Sequence, residues 1–218
     1  PEPRKESYAW MSLAEWFRLH ADDVEIAEAG EAKLLFHGDS ITQGWEGAGK
    51  PHWESNFQRY APANFGIGGD MTQNLLWRLQ NGAIGNLEPD HVVLMIGTNN
   101  FGWLEEGPSD VALGVKRVFE LVADAYPNAA MLLFGVLPRG EFPSDPNREQ
   151  IRALNLEIAK LAESKQIDFV DCGHRFLDQE GRIPGALMPD FLHPSEKGYA
   201  ILAEVVGDWL GKPEQGRN

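Results

Sequence analysis

Asp190 and His193 stand three positions apart in the Pro-bounded segment Pro189-Asp190-Phe191-Leu192-His193-Pro194. That spacing can set a carboxylate against the imidazole Nδ1–H and leave Nε2 free to face a third group. A serine hydroxyl is a poor nucleophile until a base takes its proton. Ser40, in Gly38-Asp39-Ser40, is the hydroxyl such a base would serve. His193 is then the base, and Asp190 fixes its tautomer and stabilises the imidazolium. Attack on an ester also needs donors for the oxyanion that forms. The backbone N–H groups of Ser40 and Gly69 and the side-chain amide of Asn99 are the candidates. Each lies in a turn of small or amide residues, the other two being Gly66-Ile67-Gly68-Gly69-Asp70 and Gly97-Thr98-Asn99-Asn100. Alone, Gly-Asp-Ser is an ordinary turn, so the chemistry depends on distant segments meeting it.

The turns that carry this chemistry early in the chain each close a short apolar run. Leu34-Leu35-Phe36 leads to Ser40, Pro62 to Phe65 leads to Gly69, and His91 to Ile96 leads to Asn99. Met131 to Val136 and Ile167 to Val170 read as two further strands. Helical spacing fills the intervals. Ser12 opens a capping box ahead of Leu13, Trp16, Phe17, His20, Val24 and Ala27, with Gly30 as the stop. A short helix is expected around Trp53 to Phe57, and Thr72 is placed to cap a helix carrying Leu75, Leu76 and Leu79. Ser109 and Asp110 begin a helix with Val111, Val115, Val118, Phe119 and Val122 on one face. Ile151, Leu154, Ile158 and Leu161 mark another, and Ser195 caps the last, with Tyr199, Leu202, Val206 and Trp209 inward.

Alternating strands and helices with near-continuous apolar strands predict an α/β fold, a three-layer α/β/α sandwich on a parallel five-stranded sheet. In the flavodoxin-like order 2-1-3-4-5 a crevice opens between strands 1 and 3, where Ser40 and Asn99 would meet. One domain over 1–218 is expected, with 1–32 as lead-in and helix, loose from Pro1 to Tyr8, and 211–218 as a loose tail.

Composition narrows the function. The 218 residues carry a formal net charge of −14, which argues against nucleic acid and anionic membrane surfaces. No apolar stretch approaches the roughly 20 residues that span a bilayer, so no integral membrane segment is expected. The single cysteine, Cys172, excludes an internal disulfide and a Cys-rich metal site. The glycines near residue 68 do not follow G-x-G-x-x-G, which argues against a dinucleotide. A chain beginning at Pro1 fits a removed leader, so a secreted or periplasmic setting is the expectation, with the cytoplasm as alternative.

The blocks GDSIT at Gly38 to Thr42, Gly66 to Asp70, GTNN at Gly97 to Asn100 and DFLH at Asp190 to His193 resemble the SGNH (GDSL-type) hydrolases. Within that superfamily, NFGIGGD at Asn64 to Asp70, LWRLQNG at Leu76 to Gly82, GTNN and LPRGE at Leu137 to Glu141 are similar to the catalytic subunits of intracellular platelet-activating-factor acetylhydrolase. The resemblance spans about Lys33 to Trp209. It implies the SGNH hydrolase fold, Ser40, Gly69, Asn99 and His193 as the name-giving residues, and Asp190 as the third triad member. It also implies no cofactor and no metal. Gly-Asp-Ser-Ile-Thr lacks the G-x-S-x-G elbow of the larger α/β hydrolases.

The expected activity is a serine esterase cleaving short acyl esters, most naturally acetyl, through an acyl-enzyme. The expected partner is a small-molecule or carbohydrate acyl ester. A phospholipid acetylhydrolase or lysophospholipase is the alternative, and a homodimer stays open. Trp45 and Trp103 follow the first and third turns; with seven Trp in the chain, core packing or loop anchoring is the first reading for them, and their aromatic faces are the candidate substrate-binding surfaces. His37 is expected to pack, Asp39 and Asp70 to brace turns, Asn100 to be structural, and Arg139 to form a surface ion pair. A metal-dependent phosphoesterase would need a denser His/Asp set than these turns offer.

Overall fold

The frame is a five-stranded sheet of parallel strands β1 (Leu34–Gly38), β2 (Pro62–Gly66), β3 (His91–Met95), β4 (Ala130–Phe134) and β5 (Asp168–Val170), in the order β2-β1-β3-β4-β5. The computed structural model describes residues 1–104, 106–165 and 167–212. In chain order the helices are α1 (Leu13–Ala29), α2 (Ser40–Gln43), α3 (Lys50–Asn56), α4 (Thr72–Arg78), α5 (Thr98–Trp103), α6 (Pro108–Ala125), α7 (Pro146–Lys165) and α8 (Glu196–Leu210).

Both faces of the sheet are covered, as apolar parallel strands require. Leu35, Val92, Leu94 and Leu133 face one core with Leu75, Val115, Phe119 and Leu154 from α4, α6 and α7. Leu34, Phe36, Val93, Leu132 and Phe134 face the other, with Trp45, Phe57 and the inward side of α8. Tyr199, Leu202, Val206 and Trp209 are all buried. Burying an apolar side chain of this size stabilises by roughly 1.5–3 kcal/mol, so one helix face firmly seats α8 and the loop leading into it.

The register decides where the chemistry can lie. Gly38 pairs with Gly66 on one side and Met95 on the other, so β1, β2 and β3 end level. The segments that follow them therefore start from one sheet edge. This is the carboxyl edge, where open α/β sheets bind ligands.

Three local expectations are corrected. Thr72 is the first residue of α4 and not its cap; its N–H is taken by Asn100 Oδ1 at 3.1 Å. GTNN does not stay a turn but opens α5, a helix of six residues, too short to show a periodic face. The lead-in Pro1 to Tyr8 is not loose: Arg4 is buried, and Glu2 N–H donates to Gln73 carbonyl oxygen at 3.2 Å. The tail from residue 213 lies outside the described residues.

Candidate active site

Ser40 sits at the start of α2, one residue past the Asp39 cap, whose carboxylate accepts from Ile41 N–H at 3.0 Å. Gly38 is required there by space, since a Cβ would lie 2.1 Å from Thr42 Oγ1 and 2.4 Å from Met95 carbonyl oxygen. The turn is tied to its neighbour by Asn64 Nδ2, donating to Thr42 carbonyl oxygen at 3.0 Å, and by Gly68 N–H, donating to Gln43 Oε1 at 2.9 Å. Asp39 is buried, and burial, against the bond from Ile41, pushes its carboxyl up to about 7.

His193 arrives from the loop before α8. Ser195 N–H donates to Leu187 carbonyl oxygen at 2.8 Å and Ser195 Oγ to Ala186 carbonyl oxygen at 2.7 Å, which docks this loop on the helix. The Asp190–His193 turn is built by its carboxylate. Asp190 Oδ1 accepts from Leu192 N–H at 3.1 Å and His193 N–H at 2.7 Å, the Asx pattern. Phe191 takes φ 59, a left-handed conformation that costs a non-glycine residue on the order of 1–3 kcal/mol. Such outliers persist only where the surroundings hold them, and here Gly140 N–H donates to Phe191 carbonyl oxygen at 2.9 Å.

Asp190 Oδ2 lies 2.6 Å from His193 Nδ1, and His193 Nε2 lies 2.9 Å from Ser40 Oγ. An ionised carboxylate only accepts, so Nδ1 carries the proton and Nε2 is left to accept from the serine hydroxyl. Burial draws the Asp190 carboxyl upward, yet the bonds from His193 and Leu192 outweigh it and hold the carboxyl below its ordinary value. The three residues are thus joined across 153 positions of sequence into one chain of hydrogen bonds.

The donors gather beside them. Ile67 to Asp70 is a turn closed by Asp70 N–H on Ile67 carbonyl oxygen at 3.2 Å, with Gly69 at φ +75. A positive φ at the third residue defines the type II turn and calls for glycine. Asn99 Nδ2 donates one of its two N–H bonds to Asp70 carbonyl oxygen at 2.9 Å, leaving the other for a ligand. That partner also fixes the amide orientation, because a carbonyl oxygen accepts only from the NH₂ side. Asn100 faces away and ties α4 to α5 through Thr72 and Glu106.

Behind this edge lies a sealed ionic node. Asp70 Oδ1 accepts from Trp16 Nε1 at 2.7 Å, and Oδ2 accepts from Arg78 Nε at 2.7 Å. Arg78 also donates to Asp23 at 2.8 Å and reaches Gly38 carbonyl oxygen at 3.3 Å. Arg4 Nη2 lies 3.5 Å from Asp70 and donates to Gly68 carbonyl oxygen at 2.5 Å. Two carboxylates thus face two guanidinium groups, so the node is near neutral and braces both the Ser40 turn and the Gly69 turn.

Other residues fall differently from expectation. Trp45 is 4% exposed and packs against Phe36, Phe57 and Tyr199, so it is core and offers no substrate face. The short helical turn Gly44–Glu46 rotates it inward. Trp103 ends α5, and its side chain lies outside the described residues. Arg139 forms no ion pair among the described residues; its Nη1 donates to Thr98 carbonyl oxygen at 3.1 Å, beside Asn99. His37 packs on Phe65 with ring centroids 4.9 Å apart, and burial, then Arg78, pulls it down to about 3. The aromatic face near the donors belongs instead to Trp10, 54% exposed, whose ring would come within 2.7 Å of a Cβ on Gly69. Sequence reasoning missed it, although Tyr8, Trp10 and Met11 so soon after Arg4 were a visible sign of an anchored segment. Among the described residues no group of three or more His, Cys, Asp or Glu side chains is arranged to hold a metal ion.

A parallel sheet in this order with these blocks at its carboxyl edge defines the SGNH hydrolase architecture. Residues 36–201 match the GDSL-like Lipase/Acylhydrolase family, and the chain belongs to it as an ester hydrolase. Among its relatives is platelet-activating factor acetylhydrolase IB subunit alpha1 of Bos taurus, 38% identical over 196 residues, spanning 89% of this chain and 82% of that one. A solved structure from Streptococcus pneumonia, named for platelet activating factor, is 27% identical with a TM-score of 0.77, covering 91% of this chain and 94% of that one. An acetyl xylan esterase shares the fold at 24% identity and TM-score 0.68, over 82% of this chain and 99% of that one.

Proposed function

We propose that this protein is a serine esterase that removes short acyl groups, acetyl above all, through an acyl-enzyme. The observation that carries the reading is the chain Asp190–His193–Ser40, at 2.6 and 2.9 Å, near the Gly69 N–H, which has no partner among the described residues. Ser40 Oγ attacks the ester carbonyl carbon while Nε2 of His193 takes its proton. The carbonyl oxygen becomes an oxyanion met by Ser40 N–H, Gly69 N–H and the second Asn99 N–H. Collapse breaks the C–O bond to the alcohol, which leaves with the proton from His193. Water then repeats the sequence on the acyl-enzyme and releases the acid. Asp190 stays ionised throughout and holds the ring.

For the alcohol part, an O-acetylated carbohydrate or similar small polar ester is our reading. The half-exposed His193 and Asp190 side chains and the exposed Trp10 ring make an open site where a sugar can stack. An ether-phospholipid acetate is the second reading, favoured by the relative at 38% identity whose name carries that activity. A fluorophosphonate probe should label Ser40, and p-nitrophenyl esters should be cleaved fastest at acetate and more slowly as the acyl chain lengthens. Absence of both labelling and turnover overturns the esterase reading. Activity that EDTA abolishes would favour a metal phosphoesterase instead. Acetate release from acetylated xylan, set against a platelet-activating-factor analogue, separates the two alcohols.

A further inference from the structure

We infer that Arg4, on the segment ahead of α1, is a positioning residue that locks the Gly69 N–H into the oxyanion site. The inference rests on the esterase reading above and concerns the same site.

The Gly68–Gly69 peptide is the central peptide of the Ile67–Asp70 turn. Type I and type II turns differ mainly by rotation of this peptide, which exchanges the faces shown by its carbonyl and its N–H. With glycine at both central positions no side chain opposes that rotation. In a trans peptide the carbonyl of Gly68 and the N–H of Gly69 point opposite ways, so fixing one fixes the other. Arg4 Nη2 donates to Gly68 carbonyl oxygen at 2.5 Å, and no other donor on that oxygen is present among the described residues. Gly69 N–H has no partner among the described residues and is left for a ligand.

Arg4 is itself held hard. It is 5% exposed, faces Asp70 at 3.5 Å, and donates to Met11 Sδ at 3.1 Å. Its guanidinium lies over the rings of Tyr8, Trp10 and Trp16, at 5.1, 5.6 and 5.9 Å. Tyr8 and Met11 exchange backbone bonds at 2.9 and 3.2 Å, closing the segment on itself. Asp70 therefore brings a cation to the outer face of the turn, and that cation selects which face of the peptide looks into the site. A charge on the carbonyl also polarises the peptide and makes its N–H a stronger donor.

A lost lock acts on the transition state, because the oxyanion exists only there. In the full-length chain with p-nitrophenyl acetate, Arg4→Ala and Arg4→Met should lower kcat by about 10–100-fold, less than full removal of a donor. KM should stay within about threefold. Methylguanidinium should restore part of the rate to Arg4→Ala, where the space is vacant, and none to Arg4→Met, where it is filled. Wild-type kcat in both variants, a loss confined to KM, or a deficit that methylguanidinium leaves untouched in Arg4→Ala overturns the inference. Should those variants fail to fold, Arg4→Lys carries the test. A kcat at least about tenfold down at unchanged KM supports it, since an ammonium cannot reproduce the fork, and an unchanged kcat overturns it. Esterase activity of the wild type is the baseline: its absence would sink the functional reading and this inference with it, whereas wild-type kcat in the variants sinks this inference alone.

Discussion

Asp190 and Asp70 are both carboxylates gripped by nitrogen donors, yet one stands in the open and the other is sealed. The side chains of Asp190 and His193 are 56% and 43% exposed, whereas those of Asp70 and Arg78 are each 0% exposed. Solvent at the first pair lets an acid product leave and screens what the pair contributes to stability, which is about 0–1 kcal/mol for exposed partners. Exclusion of water at the second makes every partner matter, because a charge stranded there has no water to turn to. The open cluster should govern rate and the sealed one should govern fold.

Ser40→Ala is the sharpest test of that division. It should lower kcat by roughly 10⁴–10⁶ and leave the thermal midpoint within a few degrees of wild type. A midpoint that collapses with the activity would make Ser40 part of the scaffold and end the distinction. Arg78→Met is the converse. It takes from Asp23 the guanidinium that bonds it and leaves Asp70 with Arg4 at 3.5 Å, and denaturant unfolding should report a loss of about 3–5 kcal/mol. A loss under about 1 kcal/mol would mean the node is not sealed in solution.

The contrast also explains what could be read from the chain alone. Ser40, Asn99, Asp190 and His193 were legible because each sits in a short turn whose residue types fit one chemistry. The strands before three of those turns, and helices such as α6 and α8, were legible because their inward faces repeat at fixed intervals. Arg4 was not, since its partner Gly68 is 64 positions away and nothing periodic joins them. Trp45 stayed open between core and substrate face because position after an active turn says nothing about which way a ring points. There the tight turn at Gly44 and the room beside Tyr199 decided for the core.

Asn99 belongs to both regions, giving one N–H to Asp70 carbonyl oxygen and, in the proposed mechanism, the other to the oxyanion. Asn99→Ala should cost about 10²–10³ in kcat, or about 2.7–4 kcal/mol, with a smaller loss of stability; full retention of rate would remove it from the oxyanion site. Asp39 sharpens the contrast through pH. It is sealed like Asp70 but has no cation bonded to it among the described residues, and its carboxyl is raised from 3.8 to about 7. Between those values the folded state binds a proton that the unfolded chain has lost, so wild-type stability falls as pH rises through that window. Asp39→Asn keeps an acceptor for Ile41 N–H and removes the charge. Its unfolding free energy should therefore gain on wild type from pH 4 to 7, by at most a few kcal/mol, read by denaturant unfolding; a constant difference across that range would show that Asp39 ionises freely when folded.

The smallest effect falls where the two regions touch. Trp10 stacks on Tyr8 with centroids 5.4 Å apart, lies under the Arg4 guanidinium and presents its outer face to solvent beside Gly69. It thus flanks the donor turn on the side of the sealed node. A ring so close to a donor turn limits the room for whatever an ester carries on that side of its carbonyl. Trp10→Ala should leave kcat on p-nitrophenyl acetate within severalfold of wild type, because none of the reacting groups moves. It should raise the ratio of butyrate to acetate kcat/KM by several-fold, about what one or two methylenes of new room are worth. An unchanged ratio, with binding of an acetylated sugar weakened instead, would put the ring on the alcohol side and reserve the acyl side for the turn itself.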